Sequence, residues 1–276
     1  MRIRTGLALL FAFTFASQLL AQNFSGSDDF LSVNSNWTVP SGSSVLGAAM
    51  TVNGGALNFT SPSLTTGQTS EAAYAWTANN GSYTADWQLQ VDFNVNTTLV
   101  AGQIGLWELI VGSTTTPANN FTVALQRTYM QLIGSQPPQI QAYTKIDGGI
   151  QAPGYVSANA SAGTATVRIA YNAAATTLTA AYDGNGPTDG YAFTNLHSVN
   201  ISDVASDWNM VSGDTFSVVL HAFNSANGDP SMPLFEGAFI ADNFLATPTA
   251  VPEPATIALL AGLGALGLAL WRRCRV

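Results

Sequence analysis

From Trp87 to Val95 the chain reads Trp-Gln-Leu-Gln-Val-Asp-Phe-Asn-Val, with every odd position apolar and every even one polar. A side-chain period of two places all the apolar groups on one face of an extended strand, so this stretch predicts a strand with one buried side. Runs of the same kind occupy residues 56–60, 103–111, 121–125, 140–146, 164–171, 176–182, 215–223 and 237–245. Turn formers separate them: Asn53-Gly54-Gly55, Asn79-Asn80-Gly81, Asp147-Gly148-Gly149, Asp183-Gly184-Asn185-Gly186 and Asn227-Gly228-Asp229-Pro230. Asn172-Ala173-Ala174-Ala175 links two runs closely enough to predict a hairpin. Ten or so strands without helical periodicity imply a sandwich or barrel. The expectation is one antiparallel β-sandwich over residues 22–247, with neither a fixed-period repeat nor a second domain.

Such a body must be stabilised by its core. The only cysteine, Cys274, falls near the C-terminus, so disulfides cannot staple the strands. Charged residues make up 9% of the chain, against roughly 25% in average soluble proteins. Hydroxyls and amides must therefore carry the solvation of the surface. Between Asn23 and Ala250 only Arg127, Lys145 and Arg168 are basic, against fifteen carboxylates, a net charge near −12. Phosphate backbones would repel such a body, which excludes nucleic acid as a partner.

The five remaining cations sit at the two ends. Arg2 and Arg4 precede an apolar stretch and then small residues, the layout of a secretory signal peptide over residues 1–21. Cleavage is expected between Ala21 and Gln22, although Leu19 is not the ideal small residue at its position; an uncleaved signal anchor is the alternative. At the other end, residues 255–270 carry no charge, and Trp271, Arg272, Arg273 and Arg275 follow. At about 1.5 Å per residue this apolar run is marginally short for a ~30 Å hydrocarbon core, and Trp271 and the arginines extend it into the interface. A transmembrane helix over about 255–271 with a basic tail at 272–276 keeps the arginines cytoplasmic and sends the acidic body outward.

Pro252-Glu253-Pro254, then a short Gly/Ala/Leu helix, then the terminal arginine cluster resembles the PEP-CTERM sorting signal of bacterial exported proteins. The resemblance covers residues 248–276, linker included. It implies recognition of Pro252, Glu253 and Pro254 by an exosortase, with Arg272 and Arg273 as the stop signal. The protein would then use the secretion machinery, sit briefly in the membrane through its C-terminal helix, and reach the cell surface or extracellular matrix. Proline supplies a physical reason: it holds the segment extended, in a form a processing enzyme can grip. A permanent anchor with incidental prolines is the alternative.

Asp28-Asp29-Phe30, Trp37 and Val52-Asn53-Gly54-Gly55-Ala56-Leu57 resemble the opening of concanavalin-A-like jelly rolls. Val167-Arg168-Ile169-Ala170-Tyr171 with Thr177 to Gly184 resembles the late hairpin of legume-lectin and laminin-G-like sandwiches. These matches imply a jelly-roll fold. Hydrolytic relatives carry Glu-x-Asp-x-x-Glu on one strand, and retaining glycosidases need paired carboxylates. Here Glu108 stands alone on its strand, so an enzyme of that kind is not expected.

His197 and His221 are the only histidines, and His221 reads as a packed strand residue. No Gly-x-Ser-x-Gly elbow, His-Glu-x-x-His helix or phosphate loop occurs, which leaves only a triad assembled from distant residues. No cofactor is expected beyond a structural calcium, for which Asp28 with Asp242, or Asp183 with Asp189, are the candidate ligands. Carbohydrate contact calls for aromatic faces and amide or carboxylate partners. The candidates are Trp76, Trp107, Tyr129, Tyr143 and Asp147, with Tyr155, Trp208, Asn119, Asn120 and Gln126 in support, although aromatics in such a chain mostly build core. The sequence thus points to a non-enzymatic exported protein associated with extracellular polysaccharide. A divergent glycan-active enzyme and a structural coat protein are the alternatives.

Overall fold

The computed structural model describes residues 23–130, 133–160 and 163–248. The expected leader, its cleavage point at Ala21 and Gln22, the expected membrane helix, and Pro252, Glu253, Pro254, Arg272 and Arg273 lie outside the described residues. Among the described residues no helix is long and apolar enough to cross a membrane.

The described chain is all-β, built from two antiparallel sheets. The eight-stranded sheet runs in the order β16 (Thr194–Asn200), β15 (Thr177–Asp183), β14 (Thr164–Asn172), β7 (Trp87–Asn94), β18 (Ile240–Pro248), β4 (Ala56–Thr60) and β3 (Ala49–Asn53), and β1 (Gly26–Asp28) pairs with β18. The ten-stranded sheet runs β12 (Gly149–Ile150), β11 (Gln139–Ile146), β9 (Asn120–Met130), β8 (Gln103–Ser113), β17 (Thr215–Ala226), β5 (Thr69–Trp76) and β2 (Trp37–Thr38). Beside that path lie β10 (Gly134–Ser135), β13 (Val156–Asn159) and β6 (Gly81–Ser82).

The alternation in β7 does what its period demands. Trp87, Leu89, Val91 and Phe93 are buried in the shared core, while Gln88, Gln90, Asp92 and Asn94 point to the other face. From β8, β9 and β17 the core receives Trp107, Leu109, Val111, Phe121, Val123, Leu125, Phe216, Val218 and Leu220. One cluster joins the inner faces of both sheets, as two packed layers require. Gly105 marks a close approach between them: a Cβ there would lie 2.5 Å from the Phe239 ring.

Two expectations shift. The predicted strand at 237–245 begins only at Ile240, because a turn closed by Ala238 N–H on Phe235 C=O, with Gly237 at φ 82°, comes first. β5 carries too few bulky apolar residues to announce itself, yet it is an eight-residue strand that pairs with β17 over seven positions. The hairpin expected at 172–175 is present, with β14 and β15 in register from Asn172↔Thr177 onward. The described chain enters and leaves at one end: Asn23 Nδ2 donates to Asp86 C=O at 2.8 Å, and Pro248 pairs with Trp87.

Candidate functional site

The residues expected to meet a saccharide do not converge. Trp76 and Trp107 are 3% and 0% exposed, and Trp208 is likewise buried, so all three are core residues and present no face to a ligand. Their apolar surface gains more from packing than a sugar could return: Trp107 stacks on Phe93 at 5.7 Å, and Trp76 meets Trp37 at 5.1 Å. Tyr129 is half-buried against the core. Asp147 occupies the β11–β12 turn at φ 50°, its N–H held by Asn119 Oδ1 at 2.8 Å.

Tyr143 belongs to a hydrogen-bonded row on the outer face of the ten-stranded sheet. Its hydroxyl donates to Glu108 Oε1 at 2.7 Å, and Glu108 Oε2 lies 2.7 Å from His221 Nδ1. His221 Nε2 lies 3.5 Å from Glu71 Oε2. Tyr143 crosses above β9 to reach Glu108, a path left open because Ala124, paired with Glu108, is small. Glu108, isolated on its own strand in the sequence, thus finds a second carboxylate on β5. Burial pulls His221 down, but the hydrogen bond and charge of Glu108, aided by Glu71, outweigh it and hold the imidazole above its ordinary value. Burial and Glu108 together push the Tyr143 phenol far up. The partners of Glu108 are internal, so this row braces four strands. Tyr155, 58% exposed, stands edge-on to Tyr143 at 5.1 Å.

Of the aspartates proposed for calcium, Asp183 and Asp189 are engaged in a turn. Asp183 accepts the N–H groups of Asn185 and Ala192 at 3.3 and 2.7 Å, and Asp189 Oδ2 accepts from Asn185 Nδ2 at 2.8 Å. Both aspartates therefore close the turn around the Gly186–Asp189 3₁₀ segment. Asp28 Oδ1 accepts the Phe30 N–H at 2.8 Å and Asp242 Oδ1 the Asn243 N–H at 2.7 Å, and in the ladders Asp28 lies opposite Phe244 and Asp242 opposite Asp92. No group of three His, Cys, Asp or Glu side chains among the described residues is arranged to hold a metal.

A concavity lies on the opposite sheet, where β1, β18 and β7 meet. It is an open cup of about 740 Å³ walled by the 29–35 segment and by Tyr191. Its lining is rich in hydroxyls, amides and carboxylates: Ser27, Asp29, Asn34, Gln90, Tyr191 and Asn243 are among them. The bulge in β18 positions Asn243 at φ 51°, from where its Nδ2 donates to Asp92 Oδ2 at 2.8 Å. Gln90, 7% exposed, lines the cup together with the exposed Tyr191. Burial and the nearby carboxylates hold the Tyr191 hydroxyl above its usual value. Beside the cup, Asp92 and Asp242 face each other across the β7–β18 ladder. Burial raises both carboxyls, and their mutual charge adds to the rise of Asp242. Sequence reading missed Gln90, Tyr191 and Asn243. The polar face of β7 was legible, but nothing local showed that a segment a hundred residues away would wall it.

Residues 250–273 match the PEP-CTERM protein-sorting motif. The match implies export and sorting to the cell surface. No curated protein matches the sequence. Among solved structures, the carbohydrate recognition domain of Emp46p in its potassium-bound form aligns at 14% identity and a TM-score of 0.49, covering 81% of this chain and 96% of that one. Lectin II from Ulex europaeus aligns at 14% and 0.48, covering 82% and 100%. The legume lectin-like domain from Entamoeba histolytica aligns at 11% and 0.44, covering 78% and 91%.

Proposed function

We propose that this chain is an exported, non-enzymatic surface protein, released or transferred by an exosortase-type enzyme, that associates with extracellular saccharide through the cup beside Tyr191. The sorting half of the reading rests on the match at residues 250–273. In this reading a leader ends at Ala21, a body runs over 22–247, and a membrane helix at about 255–271 holds the chain until Pro252-Glu253-Pro254 is processed. Arg272 and Arg273 mark the cytoplasmic side.

The binding half rests on one observation, the polar cup with a tyrosine on its wall. Sugars offer CH faces to an aromatic ring and hydroxyls to amides and carboxylates, and the cup supplies both kinds of partner within one cavity. Trp76, Trp107 and Trp208 are core, and the binding proposed does not depend on them.

Two measurements test the proposal. Protein recovered from cells should have an intact mass lacking the segment that follows the Pro-Glu-Pro tripeptide, and Glu253→Ala should leave it uncleaved and misplaced. On a glycan array the exported protein should retain saccharides, and Tyr191→Ala should lose them with the fold unchanged. Uncleaved wild-type protein would overturn the sorting half, and an array without signal the binding half.

A further inference from the structure

We infer that the cup selects saccharides whose sugars carry a methyl-bearing substituent, the acetyl of an N-acetylamino sugar above all, over plainly hydroxylated ones; this rests on the saccharide reading of the same site. Hydroxyls, amides and carboxylates dominate the lining, yet three apolar side chains stand in it uncovered. Val33 is 75% exposed, Tyr191 49% and Leu245 36%. Apolar residues scattered singly on a surface need no explanation, whereas several gathered on the wall of one concavity mark a contact surface.

Three separate segments bring them together. Ser27 lies opposite Leu245 where β1 pairs with β18, and alternation along β18 sends Phe244 into the core and Leu245 outward. Tyr191 reaches the wall from just ahead of β16. Val33 follows β1 on an anchored segment: Asp28 Oδ1 accepts the Phe30 N–H at 2.8 Å, Asp29 Oδ1 accepts the Leu31 N–H at 3.3 Å, and the Phe30 ring is fully buried. Phe30 sits at φ 48°, a backbone that a bulky residue keeps only where its surroundings over-determine it. The chain leading to Val33 is therefore held in place, and the side chain still faces water. Asn34, Ser35 and Asn243 can meet the hydroxyls of any sugar, so hydrogen bonding does not separate one sugar class from another. What separates them is the hydration of the apolar trio. A hydroxyl pressed against these groups loses its own water without return, whereas a methyl releases water from both partners. An N-acetyl group suits such a mixed wall, because its methyl meets the trio while its amide finds the neighbouring polar groups.

The test titrates the exported protein with three β-1,4-linked tetramers: N-acetylglucosamine, N-formylglucosamine, which keeps the amide and lacks the methyl, and glucose. Phosphatidylcholine vesicles serve as a further probe. The acetylated tetramer should bind about fourfold more tightly than the formylated one, the ratio that about 0.8 kcal/mol for one buried methyl provides. The glucose tetramer should bind more weakly than the acetylated one by at least as much. Because the contact is apolar, the ratio should hold in high salt, where a charge-based preference would shrink. Val33→Ser should reduce the ratio without changing thermal stability, since the side chain is exposed in the free protein, and adding Leu245→Ser should bring it close to one. Val33→Ile should keep it. Tyr191→Ala should weaken all three tetramers. Equal binding of the three, or a ratio untouched by both serine substitutions, would overturn the selectivity while leaving the saccharide reading standing. If no tetramer binds, both fall. Retention on the vesicles with no tetramer bound would overturn the inference in favour of a membrane contact.

Discussion

His221 shows how one side chain couples the sheet to pH. Burial opposes its charge, yet Glu108 at 2.7 Å and Glu71 at 3.5 Å stabilise the imidazolium enough to raise its folded pKa above the ordinary 6.5. A base raised on folding contributes stability that is fully present below the unfolded value and is lost as pH rises through the folded one. Denaturant unfolding should therefore show stability declining from about pH 6.5 upward. His221→Gln should flatten that slope and cost about 1–2 kcal/mol at the acidic side. Asp242 makes the same sign from an acid: raised in the fold, it is worth most when protonated and is lost as pH rises past its folded value. Asp242→Asn should accordingly raise the melting temperature at neutral pH. Gly105→Ala tests packing alone, since the added Cβ would press on Phe239. Overpacking of this kind costs about 1–3 kcal/mol, measurable in the same unfolding experiment.

At the scale of the element, β18 does two jobs with one strand. Its register shifts between Asp242 and Leu245, so the strand pairs with β7 on both sides of an irregularity that lifts Asn243 into the left-handed region at φ 51°. Asparagine tolerates this conformation and a β-branched residue does not. Asn243→Val should cost about 1–3 kcal/mol and disturb the cup. Asn243→Gly should keep the fold within about 1 kcal/mol while losing only the hydrogen bond to Asp92. The bulge was not legible, because Ala241-Asp242-Asn243-Phe244-Leu245 reads as an ordinary strand with slightly irregular alternation. By contrast β7 and β14 were legible, because each buries one full face and so shows a clean period in its residues. β5 was not, since Ala72, Ala73 and Ala75 give the core little volume to advertise.

At the scale of the molecule, the acidic body and its exit point govern how it meets its surroundings. Asn23 and Pro248 lie at the same end, beside Asp86 and Trp87, so the segment that bears the sorting motif departs from the end at which the body begins. Truncating the chain after Ala250 should leave the body's melting temperature unchanged within about 1 °C, because one cluster of described residues joins the inner faces of both sheets. The residues alone determined that the body is all-β, that it is acidic and free of disulfides, and that residues 250–273 address it. Each of these is a property of local order or composition: a period of two, a count of charges, a tripeptide before an apolar run. Only the tertiary structure decided which polar faces meet. Glu108 gained His221 and Glu71 from other strands, Trp107 went to the core rather than to a ligand, and β1, β7, β18 and Tyr191 enclosed a cup from segments more than 200 residues apart in the chain. Strand periodicity specifies which face of each strand is buried but not its neighbours. Those are selected by the collective packing of both sheets, which no local stretch encodes.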